Sequence, residues 1–386
     1  MKITKVEPLF IDRFLFVRVE TDQGYVGYGE SGAWGHLEAS AEAVRKFAEY
    51  LVGKDPRPIE HHWNVMLRFQ HFSGAAISGA ISAIDVALWD IKGKLYGVPV
   101  YELLGGAMRT KARLYSHCKG RTTDKLVARA KRMTQEEGFT ALGCMNPLLE
   151  EGLRDPWFKS QASKIQDAVD AVRRVREAVG PEVDLCVEIH SRMTPAEART
   201  FGRAIEPFFP MFIEDPVRPY SPDAMAWVAD HVPVPVATGE RFINLHQFQT
   251  LLARRGVEYL RPCISVCGGI TAGKKIAALA EAYDAQIVFH NPLSPINLAA
   301  CLQLDACIPN FAVQEYPFDN AEIEGSEGLR GSRVVPGLAA PEAGFIKIPD
   351  GPGLGIDLPE DAAARFPRRS MTVAMRPHVD GSVVDD

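Results

Sequence analysis

The chain has 386 residues, 46% of them hydrophobic and 24% charged, enough for a barrel of roughly 250 residues plus a smaller domain. Its formal net charge of −6 argues against nucleic acid or an acidic membrane surface as partner, and no run approaches the ~18 apolar residues of a bilayer span. Seven cysteines without disulfide-like spacing suit a reducing cytoplasm, and Cys263 and Cys267 lack the paired CxxC spacing of a zinc site.

The opening MKITKVEPLF reads as a strand, since no apolar signal region follows. Apolar and polar residues then alternate through FLFVRVETDQGYVGYGE, with Asp22-Gln23-Gly24 as a turn, which predicts an antiparallel hairpin or meander. Helical periodicity takes over in EASAEAVRKFAEYLVG and IEHHWNVMLRF, and the small, apolar stretch from Ser73 to Gly106 predicts a buried helix. Strands followed by helices, before any strand–helix alternation, indicate an α+β domain over 1–110.

A barrel is expected over 111–335, beginning with ARLYSHC and FTALGCM as strands 1 and 2. The next helix carries Ile165, Val169, Val172, Val175 and Val179 on one stripe and ends at Gly180-Pro181. The long connection at 146–161 reads either as a lid or binding loop or as a plain surface insertion. Thr194-Pro195-Ala196-Glu197 spells a capping box, and Asn244 with Gln247 repeats the device. The GPGLG cluster of the tail has no helix after it and is not a dinucleotide loop; a polar end, expected to fray, follows.

Within the barrel, Glu188, Glu214, Glu240, Cys263, His290 and Glu315 stand at gaps of 26, 26, 23, 27 and 25 residues, each at or just past a short apolar run. One strand and one helix per period of about 25 residues is the signature of a β/α barrel, whose strand ends meet on one face. Glu188, Glu214 and Glu240 would there form a hard oxygen donor set suited to Mg²⁺. His190, two residues after Glu188, would share its face, with His290 across the mouth. A metal lowers the cost of removing the proton beside a substrate carboxylate. One histidine would take that proton and the other would protonate a departing hydroxyl, turning a sugar acid into a 2-keto-3-deoxy acid.

These residues, with the YGE, SAIDVALWDIKGKLYGVPVYELLGG, VEIHSRMTP, FIEDP, TGERF, CGGIT, FHNPLSP, QEYP and PGLGID segments in order, resemble the enolase superfamily in its mandelate racemase subgroup. Among its members they are most similar to the sugar-acid dehydratases of the galactonate and mannonate type. The resemblance implies an α/β fold, a modified TIM barrel (β/α)7β under an N-terminal α+β capping domain, with 336–386 returning to the cap. It puts the metal ligands on Glu188, Glu214 and Glu240, the acid on His190, the base on His290 and the substrate-carboxylate contact on Glu315. It also implies cap loops around 34–36 and 71–78 facing a small acid-sugar substrate, and a homo-oligomer, dimer or octamer.

Three positions depart from the family pattern. Glu188 stands where the strand 3 ligand is usually Asp. Cys263 stands where an Asp usually orients the histidine base; it is either a small buried hydrophobe or the cause of a less well-held base. Gly143-Cys144 stands where many relatives carry a strand 2 lysine, which makes a two-base racemase route improbable. The expected activity is Mg²⁺-dependent aldonate dehydration. The alternatives are an epimerase or cycloisomerase sharing the first step, or an impaired member that binds metal and acid sugar. A metal-dependent hydrolase would want an early HxH, and strand 1 offers only His117.

Overall fold

The computed structural model describes residues 1–69, 71–149, 156–254, 256–321 and 327–384. The N-terminal alternation folds into β1 (Ile3–Ile11), β2 (Phe14–Thr21) and β3 (Val26–Ser31), an antiparallel meander in that order. Gly24, at φ 81°, makes the turn between β2 and β3. α1 (Leu37–Leu51), α2 (Ile59–Phe69) and α3 (Ala75–Tyr96) share one core with this sheet, and the short α4 (Val100–Leu103) packs against α3 and α12 (Pro295–Cys307). The 22-residue α3 is buried along most of its length and stops at Gly97, whose φ of 68° closes a left-handed cap. Small residues make this contact possible. A Cβ on Gly29 would lie 2.0 Å from the Ala83 carbonyl oxygen, and one on Gly27 2.1 Å from that of Ala87.

The barrel strands are β4 (Lys111–His117), β5 (Ala141–Met145), β6 (Asp184–Glu188), β7 (Phe212–Glu214), β8 (Val236–Thr238), β9 (Tyr259–Leu260), β10 (Gln286–Ile287) and β11 (Gln314–Tyr316). They pair in parallel in sequence order, and β11 returns to lie beside β4. A bridge between Ile287 and Phe311, just before β11, closes the ring on the other side. The intervening helices are α5 (Thr123–Gln135), α6 (Gln161–Val179), α7 (Pro195–Ile205), α8 (Pro222–His231), α9 (Leu245–Ala253), α10 (Ile264–Cys267) with α11 (Gly269–Glu281), and α12 (Pro295–Cys307). This is the (β/α)7β form of the barrel. No helix among the described residues is long and apolar enough to cross a membrane.

The turn chemistry is local and largely as its residues dictate. Thr194 and Glu197 form a reciprocal capping box with Pro195 in the first turn. The Asn244 pair is a partial version: Asn244 accepts from His246 and Gln247, but the Gln247 side chain accepts from the Ile243 N–H at 2.8 Å. The polar end does not simply fray. Arg376–Pro377 pairs with Val383–Val384, and the Trp157 N–H donates to the Pro377 carbonyl at 3.2 Å. Backbone partners on the connection after β5 hold the tail there; the middle of that connection, 150–155, lies outside the described residues.

Three buried carboxyl groups stitch the cap to the barrel and tail. Asp85 on α3 accepts from the Thr271 N–H (3.0 Å) and hydroxyl (2.6 Å). Gly269, at φ 78°, lies so close that a Cβ there would sit 2.3 Å from Asp85 Oδ2, which is the physical content of the CGGIT segment. Asp90 accepts from the N–H groups of Tyr28 (3.1 Å) and Leu354 (2.9 Å) and from Lys94 Nζ (2.9 Å). A Cβ on Gly353 would meet Asp90 Oδ1 at 2.1 Å, so the glycine-rich tail is a packing motif. Glu30, at the end of β3, accepts from the hydroxyl and N–H of Ser294, the cap residue of α12.

Burial pushes the Glu30 carboxyl up to about 8, against the lowering effect of its Ser294 hydrogen bonds. A carboxyl raised on folding binds its proton more tightly in the native state. Its stabilising contribution is therefore full below the unfolded value and is lost as pH rises through about 8. Thermal unfolding between pH 5 and 8.5 should show stability falling with pH. Glu30→Gln should flatten that slope by up to about 1.4 kcal/mol per pH unit; an unchanged slope would show that Glu30 is ionised throughout.

Candidate active site

The strand ends at the mouth turn through unusual backbone. Cys144, His190, Ser191 and Asp215 all have positive φ, at 44°, 54°, 64° and 39°, a conformation that costs free energy and gathers at functional sites. His190 therefore does not share a face with Glu188 by strand alternation, because β6 ends at Glu188. It reaches the mouth through a left-handed turn. That turn is pinned to the neighbouring strand end by Ile189 N–H to Glu214 O (3.0 Å) and Ser191 N–H to Asp215 O (2.7 Å).

Glu188, Glu214 and Glu240 converge, with one ligand oxygen from each within 4.8 Å of the others. The extra methylene of Glu188 does not take it out of the cluster. Glu214 is fully buried, and neither of its oxygens has a hydrogen bond among the described residues. Arg261 Nε lies 2.5 Å from Glu214 Oε1, close enough for charge attraction but out of line for a hydrogen bond. Burial pushes the Glu214 carboxyl well up; Arg261 opposes this, and repulsion from Glu188, Glu240 and Glu315 adds to it. Unsatisfied buried carboxylate oxygens in a cluster of like charge fit a divalent cation with a preference for hard oxygen donors.

Both histidines address Glu240. His290 Nε2 is 3.3 Å from Glu240 Oε2 and His190 Nε2 is 4.0 Å from Oε1, while Arg241 Nε is 3.5 Å from Oε1. Burial alone would raise the Glu240 carboxyl, but His290, His190 and Arg241 outweigh it and hold it at about 2. His290 Nδ1 is buried without a partner. Its backbone N–H donates to the Pro262 carbonyl at 3.1 Å, so the ends of strands 6 and 7 are adjacent. Cys263, the next residue, is 2% exposed, and burial pushes its thiol well up. Among the described residues, no side chain accepts a hydrogen bond from His290 Nδ1.

Glu315 sits deeper, 1% exposed, with both oxygens engaged. Oε2 accepts from Arg261 Nη2 (2.6 Å) and the Asn291 N–H (2.8 Å). Oε1 accepts from His117 Nε2 (2.8 Å) and the Cys144 thiol (3.5 Å). Burial would raise this carboxyl, but Arg261, His290 and His117 more than offset it and hold it well below the ordinary carboxylate range.

Strand spacing does not mark Arg261, His117 or Cys144 as site residues. A signal existed for Arg261: an arginine directly after the apolar pair Tyr259-Leu260, two residues before Cys263. Cys144 owes its position to a bulge. The β5–β6 register shifts between Leu142 and Met145, and Gly143 is required there because a Cβ would fall 1.8 Å from the Tyr115 ring.

Comparison with known proteins agrees with this architecture. Residues 6–105 match the mandelate racemase/muconate lactonizing enzyme N-terminal domain, and residues 125–362 match the enolase C-terminal domain-like family. The chain belongs to the mandelate racemase/muconate lactonizing enzyme family of the enolase superfamily, and it is an enzyme of that group. A protein described as D-galactonate dehydratase from Ralstonia nicotianae (strain ATCC BAA-1114 / GMI1000) is 38% identical over 390 residues, covering 100% of both chains. One of the same description from Pectobacterium atrosepticum is 37% identical, covering 94% of this chain and 93% of its own. A crystal structure from Agrobacterium radiobacter, described as an enolase with bound sodium and L-malate, superposes with a TM-score of 0.91 at 30% identity over 100% of both chains. One from Salmonella Typhimurium, described as a member of the enolase superfamily, gives 0.85 at 30% identity, covering 96% of this chain and 100% of its own.

Adding Mg²⁺ at about a hundredfold over its Kd should raise unfolding stability by about 2.7 kcal/mol. Glu214→Gln should abolish that gain while the uncomplexed protein stays folded. Equal Mg²⁺-dependent shifts in the two proteins would place the cation elsewhere.

Proposed function

We propose that the enzyme dehydrates an aldonic acid of the galactonate type to its 2-keto-3-deoxy acid, with Mg²⁺ held by Glu188, Glu214 and Glu240. The observation that carries this reading is the placement of His290 Nε2 and His190 Nε2 against the two oxygens of one carboxylate, Glu240. Two imidazoles bordering one cation site can serve two proton transfers on a single small acid. The relatives described as D-galactonate dehydratases support the aldonate class, and the Agrobacterium structure holds a 2-hydroxy acid, L-malate.

His290 takes the proton from C2 of the substrate at Nε2. The bond from C3 to its hydroxyl breaks as His190 delivers a proton to the leaving oxygen, so water departs, and the resulting enol tautomerises to the keto acid. Mg²⁺ supplies Lewis-acid stabilisation of the negative charge that builds on the substrate carboxylate. Glu315 acts from below: its Oε2 holds Arg261 Nη2, so that the guanidinium is shared between Glu315 and Glu214. Gly143-Cys144 offers no base on the opposite substrate face, which disfavours racemisation.

Proton NMR in D₂O with Mg²⁺ and a panel of C5 and C6 aldonic and aldaric acids reads the reaction directly. Loss of the C2 proton with new C3 methylene signals is the expected result. Exchange at C2 without elimination would overturn dehydration in favour of epimerase or cycloisomerase chemistry. If no acid reacts yet one raises the melting temperature with Mg²⁺, the chain is a binding member.

His190→Asn should slow dehydration by about 10²- to 10⁴-fold and retain C2 exchange, whereas His290→Asn should lose both. Cys263→Asp would give His290 Nδ1 a carboxylate partner, and it should raise turnover about tenfold or more. Cys263→Ser should leave turnover near that of the wild type. Equal rates for the Asp and Ser variants would show that Nδ1 needs no partner.

A further inference from the structure

His117 is the one mouth histidine that the reaction does not use. It ends β4, is 2% exposed, and its ring lies between elements that the barrel closure brings together. Its Nε2 is 2.8 Å from Glu315 Oε1. An ionised carboxylate only accepts, so Nε2 carries the hydrogen. Its Nδ1 is buried with no hydrogen-bond partner, so this one bond is the only hydrogen bond the imidazole makes among the described residues.

The bond belongs to a chain that ends on a metal ligand. Glu315 Oε2 holds Arg261 Nη2 at 2.6 Å, and Arg261 Nε lies 2.5 Å from Glu214 Oε1. Arg261 and a cation at the three glutamates therefore compete for the same carboxylate. While Glu315 keeps its orientation, the guanidinium is shared between two acids, and Glu214 retains oxygens free of hydrogen bonds. Should Glu315 rotate, Arg261 would lose its second acid and could turn fully onto Glu214, forming the paired fork that guanidinium and carboxylate prefer. On Oε1, the only donor besides His117 among the described residues is the Cys144 thiol at 3.5 Å, a weak one.

We infer that His117 is a positioning residue for the cation site: its Nε2–H fixes Glu315, which keeps the Arg261 guanidinium shared rather than paired wholly onto Glu214 and so leaves that ligand available to the metal. The inference rests on the reading of Glu188, Glu214 and Glu240 as the metal site. His117, Cys144 and Glu315 also lie within 4.8 Å of one another with ligand-type atoms. They do not form a second cation site, because the Arg261 guanidinium already neutralises Glu315 and would repel a cation there.

The test is Mg²⁺ binding by isothermal titration calorimetry on the full chain, which reads affinity without turnover. His117→Phe keeps an aromatic side chain but no donor, and His117→Asn keeps polarity but falls short of Glu315. Both should weaken Mg²⁺ binding about 10- to 100-fold, the usual effect of losing a partner behind a ligand. His117→Gln can place an amide N–H near the Nε2 position and should bind Mg²⁺ close to the wild-type affinity. Thermal melts without Mg²⁺ check that each variant folds, and His117→Asn carries the test if the Phe variant does not. Wild-type affinity in the Asn and Phe variants would overturn the inference, as would a Gln variant as weak as they are. If the wild type itself showed no Mg²⁺ binding, the metal reading would fall first and take the inference with it. The wild-type titration therefore separates the two failures.

Discussion

Arg261 is the charge on which the interior of the barrel depends. It is 1% exposed, lies over the Tyr115 ring at 5.5 Å, and contacts Glu214 and Glu315 at 2.5 and 2.6 Å. A buried guanidinium without acids would be prohibitive, and two buried acids without it equally so. One positive charge set against two negative ones still leaves an excess. Glu315 disposes of its share through His117, Cys144 and the Asn291 N–H. The Glu214 carboxylate has no hydrogen bonds among the described residues, and its charge faces those of Glu188 and Glu240 in a cluster that a divalent cation would balance. The charge balance of the mouth thus begins one layer below it.

The cap is held over that mouth by groups of a different kind. Glu30, Asp85 and Asp90 are buried carboxyls whose partners include backbone N–H groups of α12, α11 and the tail. Only Asp90 has a cationic side chain among its hydrogen-bond partners, Lys94. Burial raises Asp85 to about 7 and Asp90 to about 6, as it raises Glu30 to about 8. Backbone donors are fixed in direction, so these contacts set the angle between cap and barrel more sharply than surface ion pairs would. The Glu30–Ser294 contact has a direct bearing on chemistry, since Ser294 ends the short segment that begins at His290. The cap is thereby tied to the segment that carries the proposed base.

Much of this was legible because barrel sequences repeat a local event. A strand ends, a turn follows, and a helix is capped, as at Glu188, His190 and Thr194. The repeat of about 25 residues predicted the strand ends and the three glutamates that meet there. Local capping chemistry was equally readable at Thr194 and only partly so at Asn244, where the Gln247 side chain chose the Ile243 N–H. Period alone misdescribed the approach of His190, because the chain leaves the strand before reaching it. A single residue at φ 54° redirects a side chain without leaving a mark on hydrophobic patterning.

By itself, then, the sequence determined the architecture, the order of the strand ends and the acids that face one another, since each follows from short-range periodicity and turn preference. Tertiary structure alone decided which groups those acids touch. Glu315 meets His117 because β11 closes against β4 with Glu315 opposite Tyr115, a register set by the whole ring of strands. Cys144 faces Glu315 because a bulge in β5 turns it there, and His290 Nδ1 is left without a partner because Cys263 offers no carboxylate. Hydrogen bonds depend on distances held to within a few tenths of an ångström between segments far apart in the chain. Such distances belong to the closed barrel and to no part of the sequence taken alone.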